Sequence, residues 1–171
     1  AQALVATSFN DTALAVGEKL SFRRFALLSK KPEQAFASYI HMGGKISVLA
    51  VMEKPDDEVS KAIAMHIAAN SPLYINLEDV PAADRARETA IAEQEVKDDP
   101  KLQSKPEAVK NQIVIRKVDK VLSTSCLALQ PFLLDESKTV GQYLTEKGNK
   151  VVSFVRYQVG EGIVKDPTQV C

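Results

Sequence analysis

A chain of 171 residues suffices for one large domain or for two small ones sharing a core. Lys+Arg and Asp+Glu number 22 each, so the formal charge is zero and no bulk field draws the chain toward nucleic acid or an anionic membrane. Hydrophobic residues at 45% and charged residues at 26% are ordinary for a globular protein, and no apolar run approaches the roughly 20 residues of a membrane span.

Ala1–Val5 carries no basic stretch and no secretion signal, and with no initiator Met the chain reads as processed, cut or trimmed. Apolar residues at Ala3, Leu4, Ala6, Phe9, Ala13 and Leu14 predict a helix over 2–14, interrupted near Asn10-Asp11. From Lys19, the run Leu20, Phe22, Arg23-Arg24, Phe25, Leu27, Leu28 suits a strand that ends at Lys30-Lys31-Pro32. Ala35–His41 reads as a second strand and Ile46–Val51 as a third. The glycines of Met42-Gly43-Gly44-Lys45 mark the turn between them, because glycine enters positive φ without steric cost. Three such strands predict an antiparallel meander.

Asp56-Asp57 starts a helix by placing acids at the positive end of the macrodipole. Val59, Ile63, Ile67, Ala62 and Met65 form its apolar side, and Asn70-Ser71-Pro72 ends it. Pro81 to about Val96 is polar and alanine-rich, with a narrow stripe of Ala82, Ala86, Ala90 and Val96, and breaks at Asp98-Asp99-Pro100. After Lys105-Pro106 comes a helix striped by Val109, Ile113, Val114, Val118, Val121 and Leu122. Together they read as an antiparallel helical hairpin over about 81–123. Cys126 sits in an apolar, helix-like stretch and Cys171 is the last residue. Two such positions make a poor disulfide framework and fit a reducing compartment. Gln130–Leu134 is extended, and Thr139–Lys147 is a short helix with Val140, Tyr143 and Leu144 inward and Gly148 closing it. Val151–Val159 is a strand, terminated by Gly160-Glu161-Gly162. The resulting fold class is α+β: two similar subdomains, each a small antiparallel sheet with packing helices, divided as 1–70 and 71–171, with the hairpin inserted in the second.

The chain is poor in catalytic equipment. His41 ends a strand beside the Gly-Gly turn, and His66 sits on a helix, where a histidine partly buried with one hydrogen bond is the plain expectation. Neither has a Cys, His or carboxylate at metal-ligand spacing, so no metal site is expected. No glycine loop of the phosphate-binding kind occurs, and Gly160-Glu161-Gly162 follows a strand without leading into a helix. Arg23-Arg24 and Lys30-Lys31 are too short for a nucleic-acid footprint, and the arginines suit surface ion pairs. These residues describe a binding protein with no cofactor.

Eight segments in order, Gly17–Arg24, Tyr39–Ile46, Ile63–Ala69, Glu78–Pro81, Lys105-Pro106, Gln130–Phe132, Ser137–Leu144 and Phe154–Gly162, closely resemble elongation factor Ts. The resemblance covers nearly the whole chain. It implies a core of two similar α+β subdomains with a helical hairpin in the second. It also implies guanine nucleotide exchange on elongation factor Tu, achieved by binding rather than by covalent chemistry, in a bacterial cytoplasm or an organelle matrix or stroma. No nucleotide or nucleic acid is bound directly on this reading, and self-association as a homodimer stays open. Carried over by motif, the partner-binding residues are Val16, Gly17, His41, Met42, Gly43 and Gly44. For His41 the competing reading is a turn histidine bonded to its own backbone, and for Val16 it is helix-end packing. Gly43 and Gly44 serve the backbone of the turn. The family's N-terminal helical domain has no counterpart between Ala1 and Cys171, and neither has its Thr-Asp-Phe-Val segment, which implies docking on Tu with poor exchange. The hairpin carries Ile115-Arg116-Lys117 where the family has Glu-Gly-Arg, so Ile115 either packs on a partner or thickens the hairpin seam.

Overall fold

The computed structural model describes residues 2–17 and 20–163. Lys19 and Cys171, which figure in the strand and cysteine readings, lie outside the described residues. Helix α1 is Gln2–Val16, followed by strands β1 (Ala35–His41) and β2 (Ile46–Met52) and helix α2 (Asp57–Asn70). Helices α3 (Ala82–Asp98) and α4 (Glu107–Ser123) form the expected hairpin. Strands β3 (Pro131–Phe132) and β4 (Asp135–Thr139), helix α5 (Val140–Glu146) and strand β5 (Val151–Gln158) complete an α+β protein with small antiparallel sheets.

The main sheet has the order β1-β2-β5, with Ala37 opposite Ala50 and Ala50 opposite Phe154. Alternation puts Ala37, Val48, Ala50, Met52 and Val151 on one face, where α2 supplies Val59, Ala62, Ile63 and Ile67, all buried. The small alanines let helix and sheet approach closely. Each isoleucine buried there contributes about 1.5–3 kcal/mol. Asp56 caps α2 by accepting from the Val59 N–H at 3.0 Å, and Ser71, at φ 50° and ψ 47°, closes it in the left-handed region. Thr139 and Gln142 make a reciprocal capping box at the start of α5, and Gly148 at φ +60° ends that helix as its position predicts.

Two expectations fail here. The segment from Leu20 to Lys31 has no regular secondary structure and pairs with no described strand. The second edge of β2 is taken by β5, so the three-stranded sheet is β1-β2-β5 and the outer edge of β1 carries no described strand. The segment instead straps the sheet face opposite α2. Arg24 lies 4.9 Å over the Tyr157 ring of β5, and Lys30 lies 6.0 Å over the Phe36 ring of β1. Phe22, Phe25 and Leu27 stay exposed, Leu27 at 89%. Helix α1 runs unbroken through Asn10-Asp11, both solvated, and Phe9 holds it to the strap by an edge contact with Phe22 at 6.5 Å.

In the hairpin, Val114, Val118 and Leu122 of α4 are buried, whereas Val109 and Val121 are exposed. On α3 the seam is Ala92 and Val96, and Ala82, Ala86 and Ala90 face solvent. Alanine on several sides of α3 leaves the stripe undetermined until α4 selects a face. Salt bridges Arg85–Asp119 at 3.1 Å and Lys117–Glu95 at 2.6 Å span the two helices, both largely solvated and so worth little. The hairpin is rooted by residues 73–75 running beside 125–128: Leu127 N–H donates to Tyr74 O at 2.8 Å and Ala128 N–H to Ile75 O at 3.0 Å. Cys126 is part of this extended pairing rather than of a helix. It is fully buried, and burial pushes its thiol above the ordinary range, which makes it an inert apolar filler.

Candidate partner-binding surface

The β1–β2 connection is short. His41 ends β1 in extended conformation, and then Met42 (φ 50°), Gly43 (φ 65°) and Gly44 (φ 96°) all take positive φ before Lys45 returns to the helical region. Lys45 N–H donates to Met42 O at 3.4 Å. Three consecutive residues of this kind turn the chain outward, and only glycine enters that region without steric cost. Met42 does so with a side chain that is 61% exposed, an apolar group presented to solvent on a constrained backbone.

His41 is exposed, and its Nδ1 lies 3.3 Å from the Tyr39 hydroxyl, with the rings stacked at 5.9 Å. Tyr39 packs on the core at its other side. The imidazole is therefore braced by a core tyrosine and not by its own backbone, and its outer face is open. Gly44 and Lys45 also line an open cleft of about 600 Å³ shared with Phe9, the strap residues 20–24 and Tyr157–Gly160.

Glu161 holds two arginines that line that cleft, Arg23 and Arg24. Its carboxylate takes Arg24 at 2.8 Å and Arg156 at 3.5 Å, and its carbonyl accepts from Arg23 at 2.6 Å. The two arginines of the pair thus converge on one residue, Arg24 as the expected ion pair and Arg23 as a donor to the main-chain carbonyl. Gly160 (φ 77°) and Gly162 (φ 69°) end the strand as their pattern predicts. Arg156 reaches inward as well, donating from Nε to Ala68 O at 3.2 Å.

The six residues expected to bind a partner lie on two elements, the β1–β2 turn and the end of α1. His41, Met42, Gly43 and Gly44 are contiguous on the turn. Val16 and Gly17 stand at the exposed end of α1, where Gly17 (φ 72°) closes the helix by donating to Ala13 O, and neither lines the cleft. Sequence reasoning missed Glu161, Tyr157 and Lys45 as parts of the same surface. Their only signal was membership in the Tyr39–Ile46 and Phe154–Gly162 segments. Ile115 is 58% exposed, so it does not thicken the hairpin seam.

His66 behaves differently from His41. It is fully buried and makes several bonds, not one. Among the described residues, no group of three or more His, Cys, Asp or Glu side chains is placed to hold a metal, and no helix is long and apolar enough to cross a membrane.

A family model described as elongation factor TS matches residues 1–161. Among curated relatives, elongation factor Ts of Limosilactobacillus reuteri (strain DSM 20016) is 41% identical over 155 residues, which are 91% of this chain and 52% of the relative. That of Oenococcus oeni is 42% identical over 160 residues, 94% and 53% respectively, and that of Lacticaseibacillus casei 42% over 150 residues, 88% and 50%. The chain spans about half the length of the curated relatives it matches. With nine-tenths of its length aligned at this identity and a family model running to Glu161, the chain belongs to the elongation factor Ts family.

Proposed function

We propose that this chain is the core of a guanine nucleotide exchange factor that grips elongation factor Tu, in a bacterial cytoplasm or an organelle matrix. Family membership supports the reading, and the observation that carries it is the turn at His41–Gly44, where an exposed imidazole and the exposed Met42 side chain flank a run of positive-φ residues. Exposed aromatic and thioether groups of this kind are suited to burial against a partner. The chain acts by binding free energy alone. A factor that weakens GDP on Tu must itself be weakened by GDP to the same extent, because coupling between two ligands is reciprocal.

A second reading is a scaffold that docks on Tu without prising nucleotide out. Binding to nucleotide-free Tu, measured separately from mant-GDP release, separates the two: tight binding with release at the spontaneous rate supports the scaffold, and accelerated release supports exchange. No binding at all sinks both.

The turn is tested by His41→Ala. Truncating an interface side chain braced as His41 is costs about 1–2 kcal/mol of binding, roughly 5–30-fold in Kd, while the melting temperature stays close to that of the parent. An unchanged Kd would remove His41 from the interface.

A further inference from the structure

Outside the proposed docking surface, the most tightly specified polar cluster is the one around His66. We propose that His66 and Gln130 form a latch that fixes the root of the α3–α4 hairpin and the β3–β4 turn to α2, and that a proton on His66 opens it. This inference is independent of what the chain binds.

The geometry leaves one arrangement of protons. Leu133 N–H, which is only a donor, points at His66 Nδ1 at 3.2 Å, so Nδ1 carries the lone pair. The ring hydrogen is then on Nε2 and is donated to Gln130 Oε1 at 2.9 Å. That fixes the Gln130 amide, whose Nε2 donates to Thr124 O at 2.7 Å and to Asn70 O at 3.4 Å. Thr124 is the residue that closes α4, and Asn70 is the last residue of α2. A single buried side-chain pair therefore ties the ends of two helices and the turn between β3 and β4. Among the described residues, no buried side-chain nitrogen or oxygen lacks a partner, so the cluster has no slack.

Protonation breaks this arrangement at one identifiable atom. A hydrogen on Nδ1 faces the Leu133 N–H, donor against donor. Asn70, whose Nδ2 also approaches Nδ1 at 3.2 Å, is exposed and turns its oxygen inward; the main-chain amide of Leu133 has no such freedom. Nothing nearby offsets the new charge. The ring's neighbours are Asn70 from α2, Gln130 and Leu133 from the linker and turn, and the Phe132 ring of β3 at 6.1 Å, all uncharged. Of the charged groups on β4 and α5, Asp135 and Glu146 pair with Lys138, and Glu136 is exposed to solvent. Burial accordingly holds the His66 pKa below the ordinary value, against a smaller opposing effect of the Gln130 bond. An opening of about 290 Å³, lined by Asn70, Ser123, Thr124, Leu129, Gln130 and Pro131, brings solvent to the Gln130 side of the latch.

The sign of the pH dependence follows. The unfolded chain takes up the proton near pH 6.5 and the folded one only at lower pH, so the latch's stabilisation is complete above about pH 6.5 and declines as pH falls toward the folded pKa. The decisive experiment is NMR on the wild-type chain from pH 7.5 to pH 4, following the His66 ring nitrogens and amide hydrogen exchange. The expected result is an Nε2–H tautomer at neutral pH and a titration below the ordinary histidine value. With it, exchange at Leu133, corrected for its intrinsic pH dependence, should rise about tenfold as one hydrogen bond is lost, while amides of β2 stay protected. A Gln130→Glu variant should raise the His66 pKa and move the exchange transition up in pH with it. Three outcomes overturn the proposal: His66 titrating at or above its ordinary value, Leu133 exchange indifferent to that titration, or His66 staying neutral until the whole chain unfolds cooperatively.

Discussion

Phe132→Ala should destabilise the fold by about 3–5 kcal/mol and lower Tm by roughly 6–20 °C. The ring is 3% exposed and stacks on Tyr143 of α5 at 4.1 Å, with His66 of α2 on its other side. It is the one large side chain that β3 contributes to the core, so its removal leaves a cavity at the meeting point of three elements. The surrounding groups are held by the capping box of α5 and the bonds of Gln130, which limits collapse into the space. Against a typical total stability of about 5–15 kcal/mol, a loss of this size is a large share. Thermal unfolding followed by circular dichroism measures it, and a shift under 2 °C would mean the site repacks.

The second large effect is expected at the β1–β2 turn. Changing Gly43 and Gly44 together to alanine should cost about 1–2 kcal/mol at each position, because both need positive φ. No atom lies within 4 Å of where either new Cβ would stand, so the cost is backbone strain and nothing else. The strain relaxes by opening the turn, which displaces His41 and Met42. Affinity for Tu should therefore fall further than the stability loss alone explains, by comparison with a core variant matched in Tm. Equal affinities in the matched pair would show that the turn's shape is not what a partner reads.

Much of the architecture was legible in the sequence because it is local. The alternation in Ala35–His41 and Ile46–Met52, the Gly-Gly between them, the Asp56 cap and the Gly148 stop each act within a few residues, and each appears where its chemistry places it. What escaped is what depends on distant chain. The run at 20–28 has strand composition, yet it lies over the sheet as a strap, with Arg24 over the Tyr157 ring of β5 more than a hundred residues away in sequence. Strand β4, Asp-Glu-Ser-Lys-Thr, has no strand-like composition at all and exists because β3 turns back beside it. For the candidate surface, the turn was legible and its company was not. Glu161 gathers three arginines from two separate segments, a convergence that no spacing reveals. His66 was underestimated for the same reason, since its partners Gln130 and Leu133 lie more than sixty positions downstream.

The order β1-β2-β5 has a bearing on how the protein is made. Strand β2 receives its first neighbour almost at once, across a four-residue connection, but its second only after about a hundred further residues have been synthesised. At about 5–20 residues per second, the nascent chain carries a half-finished sheet for roughly 5–20 s. During that interval one flank of β2, with Leu49 and Val51 along it, is open to any other extended chain. Ribosome stalling before Val151 would hold the polypeptide in this state, and slow passage through the hairpin codons would lengthen it.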